Sequence, residues 1–248
     1  MSKIILEKKG EIALMRLSNG VTNPISPQLV DDLLEALEMV KEKYRGLVLA
    51  GGTKFFSIGL DLPKLLKLTR DEMRAYWEKF LEAVLGLFTL PVPTACAIAG
   101  HAPAGGTILA ICCDYRFAAG GRKMLGLNEI QLGLPVPQLA DAILRQVVGD
   151  RAATEIIFTG KLIEPDRALK LGLVDEVHPL EEVEDQAVKK ITEMAALPQP
   201  AMKIIKANRV ENVRRQYEKN KKLDIQRFLD CWFSQPVQDL LAKTAEKF

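Results

Sequence analysis

Four short strand-like runs, separated by longer amphipathic stripes, set the strongest constraint on what this chain can fold into. Gly46-Leu47-Val48-Leu49-Ala50 reads as a buried strand stopped by Gly51-Gly52, and Pro93 to Ile98, Tyr115 to Ala118 and Leu173 to Val177 read as strands too. Helical patterns fill the intervals. Ser26-Pro27 supplies an N-cap and a first residue whose fixed φ suits a helix, after which Leu29, Leu33, Leu37 and Val40 recur on one face. Thr69-Arg70-Asp71-Glu72 has the form of a capping box ahead of the stripe Met73, Trp77, Phe80, Val84 and Leu87. Gly105 to Cys113 reads as a buried helix. Leu139, Ile143 and Val147 face one way before Gly149, Asp150 is placed to cap the next helix, which stops near Gly160, and Pro165 opens another that ends at Gly172. Ile4 to Lys9 and Glu11 to Leu17, on either side of Gly10, form an opening hairpin. Alternating strands and helices define an α/β core, with no sequence repeat of fixed period.

From about Leu197 the character changes. Pro198 and Pro200 interrupt the chain, and the segment beyond them is helical in pattern and polar, including Lys203, Lys206, Arg209, Arg214 and Arg215. The interleaved Val210, Val213, Ile225, Phe228, Leu229 and Trp232 require burial. The basic residues read as a solvated helix face, with phosphate binding as the functional alternative.

Composition narrows the function classes. A 248-residue chain with 48% hydrophobic and 27% charged residues can bury a sizeable core, and a formal net charge of +2 gives no global attraction to nucleic acid or membrane. No apolar run reaches a membrane span, Met1-Ser2-Lys3-Ile4 has no signal-peptide character, and the ending Ala245-Glu246-Lys247-Phe248 is no peroxisomal or retention signal, so a cytoplasmic location is expected. Cys96, Cys112, Cys113 and Cys231 lack CxxC spacing and accompany only two histidines, which points to reduced core thiols and to no metal.

Two segments carry chemistry. Glu129 lies in Leu127-Asn128-Glu129-Ile130-Gln131-Leu132-Gly133, where apolar neighbours should raise its pKa toward that of a neutral-pH base. Gly100-His101-Ala102-Pro103-Ala104-Gly105-Gly106 brings glycine backbone to the mouth of an apolar helix, a setting for amides that hold an anion. A raised base beside preorganised donors is the equipment for taking a proton from carbon next to a carbonyl. His101 and Asp114 read as structural.

The Gly100 to Asp114 and Gly126 to Gly133 stretches, with Phe56-Ser57-Ile58-Gly59-Leu60-Asp61-Leu62 and Ala168-Leu169-Lys170-Leu171-Gly172-Leu173-Val174-Asp175, carry a resemblance to the crotonase (enoyl-CoA hydratase/isomerase) superfamily, and within it to the mitochondrial-type 3,2-enoyl-CoA isomerases. The resemblance implies a right-handed spiral of β-β-α turns over residues 1–196 and a helical trimerisation region over 197–248. It implies isomerisation of a 3-enoyl-CoA to a 2-enoyl-CoA in fatty acid or related acyl-CoA metabolism. No cofactor is needed beyond the coenzyme A of the acyl-CoA thioester, and the assembly is a homotrimer or hexamer. Glu129 is then the base, and the amides of Ile58 and Gly105 form the oxyanion hole. Leu60, Asp61, Leu132 and Leu134 are the substrate-binding residues expected; Leu62, Leu65, Leu66, Trp77 and Val136 are further pocket-wall candidates, although core packing is the stronger reading of any one of them. Asp61 also reads as a helix cap.

One departure decides between reactions. The family's hydratases carry a second glutamate at the position of Ile108, and isoleucine cannot exchange a proton, which disfavours the 2-enoyl-CoA hydratase alternative. A noncatalytic binding protein of the same fold, RNA-binding for example, would require a basic, aromatic-studded surface that this chain lacks.

Overall fold

Alternate residues of the central strands bury on opposite faces, which makes the fold layered. The computed structural model describes residues 2–246; Met1 and the last two residues of the expected 197–248 region lie outside the described residues. A hairpin of β1 (Ile4–Lys9) and β2 (Ile12–Leu17) opens the main sheet, which continues in parallel through β3 (Leu47–Ala50), β4 (Thr94–Ile98), β6 (Tyr115–Ala119) and β8 (Glu176–His178) in the order β1-β2-β3-β4-β6-β8. A second, two-stranded layer pairs β5 (Ala102–Pro103) with β7 (Leu125–Gly126), and an isolated bridge joins Phe55 to His101. Val48, Ala50, Ala95, Ala97 and Phe117 bury against Val183, Ala187 and Ile191 of helix α8 (Val183–Ala195). Leu47, Leu49, Cys96 and Ile98 point the other way into the main core, as the two-residue period of a strand requires.

Three passes of the chain repeat one step: a strand of the main sheet, a short extended piece in the second layer, then a helix. β3 leads through Phe55 to α2 (Leu62–Leu65) and α3 (Arg70–Phe88), β4 through β5 to α4 (Gly105–Ile111), and β6 through β7 to α5 (Gln138–Val148). This is the right-handed spiral of β-β-α turns that the family resemblance implies. Ser26 caps α1 (Pro27–Lys43) by accepting from the Leu29 amide, and Thr69 with Glu72 closes a complete capping box on α3.

Two local expectations are corrected. Asp150 is the first residue of α6 (Asp150–Thr159) and not its cap; Gly149 takes that place with φ 79°, and the Asp150 carboxylate pairs with Arg145 instead. The strand expected at Leu173 begins only at Glu176, because the amides of Leu173 and Val174 turn back to the Ala168 carbonyl at the end of α7 (Pro165–Lys170).

The carboxyl-terminal region is a 34-residue helix, α9 (Gln199–Trp232), followed by α10 (Gln235–Ala245). Pro200 lies in the first turn of α9, where its missing N–H costs no hydrogen bond. Phe228 stacks on Trp77 of α3 with ring centroids 3.5 Å apart and planes 5° from parallel, and Val210, Val213, Leu229 and Trp232 are buried. Lys206 departs from the solvated reading: it is 5% exposed and its Nζ donates to Asp114 at 2.6 Å, while Asp114 also accepts from the amide and hydroxyl of Thr94. Asp114 thus ties α9 to the sheet. No described helix is long and apolar enough to cross a membrane.

Candidate active site

Glu129 begins a single 3-10 turn, Glu129–Leu132, that ends where Gly133 adopts φ 70°. That turn sets the carboxylate into the wall of a cavity of about 170 Å³ between α3, α4 and the carboxyl-terminal helices. Ile58, Leu60, Leu62, Trp77, Phe80, Ile108, Leu132, Leu134, Phe228 and Thr244 contribute to the lining, and Glu129 is the only ionisable side chain among its described residues. Glu129 is 7% exposed, and its Oε2 has no hydrogen-bond partner among the described residues. Desolvation raises its pKa from 4.5 to about 7, opposed by a hydrogen bond to its own backbone. A group with that pKa is protonated or ionised at little cost near neutrality.

The backbone donors emerge from the partners of successive amides in the turn between β3 and α2. Phe56 and Ser57 donate to the His101 carbonyl at 2.9 and 3.4 Å, Ile58 to Thr22 O at 2.9 Å, Gly59 to Ser57 Oγ at 3.2 Å, and Asp61 to Ile25 O at 3.3 Å. Leu60 alone in this stretch has no amide partner among the described residues. The donor expected at Ile58 is corrected by the structure, since the Ile58 N–H is already held by Thr22, and only its side chain reaches the cavity. Leu60 is the residue of this turn that combines a free amide with a place in the lining. Across from it, Gly105 opens α4, where a first-turn amide has no carbonyl one turn back, and Gly105 also lines the cavity.

The other expected residues separate cleanly. Leu60, Leu132, Leu134, Leu62 and Trp77 line the cavity, whereas Leu65, Leu66 and Val136 do not. Asp61 is also absent from the lining: its carboxylate caps α2 through the Lys64 amide at 3.3 Å and pairs with Lys64 Nζ at 2.8 Å. His101 accepts from the Met124 amide through Nδ1 at 3.1 Å. Asn128 and Phe228 join the wall without being expected there from the sequence. The Asn128 Oδ1 is buried beside Glu129 without a partner among the described residues, and its adjacency in sequence was the available signal.

A spiral scaffold holds one desolvated carboxylate opposite backbone amides that are unpaired among the described residues, an arrangement suited to acid-base chemistry. The enoyl-CoA hydratase/isomerase family matches over residues 7–247, and the chain belongs to that family. Among its relatives, human enoyl-CoA delta isomerase 1, mitochondrial, is 31% identical over 240 residues, covering 95% of this chain and 80% of the relative. A putative enoyl-CoA hydratase from Thermus thermophilus is 32% identical over 205 residues, 80% of each chain. The crystal structure of human mitochondrial delta3-delta2-enoyl-CoA isomerase superposes with a TM-score of 0.95 at 30% identity, covering 99% of this chain and 97% of that one.

Proposed function

We propose that the chain isomerises 3-enoyl-CoA to 2-enoyl-CoA with Glu129 as its only proton-transferring group. The observation that carries this reading is the solitude of Glu129: no second ionisable side chain lines the cavity among the described residues, and Ile108 stands where the family's hydratases place another glutamate. In the reaction, the Glu129 carboxylate removes a proton from C2 of the 3-enoyl thioester. The C2 electrons form a dienolate, with negative charge on the thioester oxygen facing the amides of Leu60 and Gly105. The protonated Glu129 then delivers its proton to C4, and the double bond closes between C2 and C3. One proton leaves and one returns, so no water, metal or redox cofactor is consumed. Apolar walls keep water from the dienolate and sustain the raised pKa of the base.

The test is product identification after incubating the purified chain with a 3-enoyl-CoA and no additive. The expected product is the conjugated 2-enoyl-CoA; accumulation of a 3-hydroxyacyl-CoA at a faster rate overturns the reading in favour of hydration. Assembly into a trimer or hexamer belongs to the same proposal, supported by Ile204, Ile205 and Leu223, which leave α9 64%, 55% and 52% exposed. Light scattering at working concentration is expected to give three or six chains, and a stable monomer contradicts it.

A further inference from the structure

Two residues other than glycine hold a positive φ among the described residues: Asn23 at 45° and Ala104 at 48°. A Cβ disfavours this conformation, and it persists where surrounding structure enforces it. Ala104 immediately precedes Gly105. Asn23 lies in the loop between β2 and α1, 2% exposed and outside the cavity lining, yet it is bound to the other donor turn. Its Oδ1 accepts the Asn19 N–H at 2.8 Å, its Nδ2 donates to Phe56 O at 3.1 Å, and its own carbonyl accepts the Ser57 hydroxyl at 2.8 Å. Ser57 Oγ in turn accepts the Gly59 N–H at 3.2 Å. The flanking Thr22 carbonyl holds Ile58, and Ile25 receives Asp61 and donates to Gly59 O at 2.8 Å. The loop therefore engages the turn on both sides of Leu60 and leaves the Leu60 N–H without a partner among the described residues.

We infer that Asn23 is a positioning residue for the reaction: its left-handed backbone and its carboxamide brace the Phe56 to Leu60 turn so that the Leu60 amide is held unpaired at the cavity wall. This rests on the reading that Leu60 and Gly105 receive the anion. Asparagine suits the task for two reasons. It tolerates the left-handed region better than most residues, and one short planar group supplies both the acceptor for Asn19 and the donor for Phe56. Aspartate keeps the acceptor but sets a second oxygen against the Phe56 carbonyl. Glycine keeps the backbone and loses both bonds.

The experiment compares the parent chain with Asn23→Gly and Asn23→Asp by two measurements. The first is kcat and KM for isomerisation. The second is the affinity for acetoacetyl-CoA as its enolate, followed by near-ultraviolet absorbance, against the affinity for a saturated acyl-CoA, which carries no anion. Misplacing one donor is expected to lower kcat about tenfold or more with KM within about threefold, and to weaken enolate binding by a similar factor while saturated-ester affinity stays constant. Aspartate is expected to be the more damaging substitution. Should Asn23→Gly not fold, Ser57→Ala carries the same test, because it deletes the hydroxyl that links the Asn23 carbonyl to the Gly59 amide. Equal enolate affinity in folded variants, or enolate and saturated-ester affinities that fall together, overturns the inference. A parent chain that binds the enolate but does not isomerise overturns the proposed function and leaves the enolate affinities to decide this point. A parent that does not prefer the enolate overturns the donor assignment and the role of Asn23 with it.

Discussion

Gly59 and Gly105 meet backbone to backbone: a Cβ built on Gly59 falls 3.2 Å from the amide nitrogen of Gly105, and one built on Gly105 falls 3.2 Å from the Cα of Gly59. These two glycines bring the Leu60 turn and the start of α4 into contact, and Gly59 also holds φ 91°. Gly59→Ala is predicted to push the turns apart and lower kcat by about 10- to 100-fold, since small misplacements of catalytic groups carry large rate penalties. Circular dichroism establishes the fold, and steady-state kinetics measures the loss. An unchanged kcat in the folded variant would separate the contact from the chemistry.

The proposed donor pair, Leu60 and Gly105, gives a contrast between neighbouring substitutions. Gly105→Pro deletes the N–H while its ring also presses on Ile25 and Gly59, so turnover should fall by about 100- to 1000-fold in protein that folds. Ile58→Ala retains the amide bound to Thr22 and alters only the cavity wall, so its kcat/KM should change by no more than roughly tenfold, with longer or bulkier acyl chains gaining most. Comparable losses in both variants would contradict the assignment.

Burial of Glu129 couples activity and stability to pH in opposite senses. Its carboxyl titrates at about 7 in the folded chain against 4.5 unperturbed. The proposed reaction needs Glu129 ionised, so kcat/KM should rise about tenfold per pH unit below 7 and level off above it. Between 4.5 and about 7 the folded chain retains a proton that the unfolded chain has released, so this group's contribution to stability falls as pH rises through that window. Glu129→Gln removes the penalty and should be the more stable protein above pH 7, by up to roughly 3 kcal/mol. Denaturant melts at pH 5 and pH 8 measure it, and a variant equally destabilised at both would show that Glu129 acts in packing alone.

Ile108, 2% exposed, lines the cavity with an apolar side chain, and the proposed function assigns it the choice between reactions. Restoring a carboxyl with Ile108→Glu should raise hydration of a 2-enoyl-CoA relative to isomerisation of a 3-enoyl-CoA, at a cost in stability for burying the new group. The ratio of the two activities is the quantity to measure, because it cancels differences in folding. A parent chain that already hydrates faster than it isomerises would show that Ile108 does not select the reaction.

What the sequence made legible was local. The Ser26 cap, the Thr69 to Glu72 capping box and the buried strand Leu47–Ala50 each depend on residues adjacent in the chain, and each stands where the pattern put it. The identity of the free amide was not legible, because it depends on residues 22 to 25 folding onto a turn more than thirty residues away. Choosing Leu60 over Ile58 requires knowing that Thr22 O lies 2.9 Å from the Ile58 nitrogen. The same holds for Phe228, whose apolar character demanded burial but whose stack on Trp77 in the cavity wall arises from the course of α9. Lys206 reads in sequence as one basic residue among several; only the folded sheet supplies Asp114 as its partner.

Whether a single carboxylate moves the proton is decided by the turnover of Glu129→Gln set beside its affinity for the substrate. The amide keeps the shape of the side chain and removes the base. With Glu129 as the base, kcat for 3-enoyl-CoA isomerisation is expected to fall by at least ~100-fold while binding of the CoA ester stays within about threefold. Near-normal turnover in a folded Glu129→Gln protein would contradict that role.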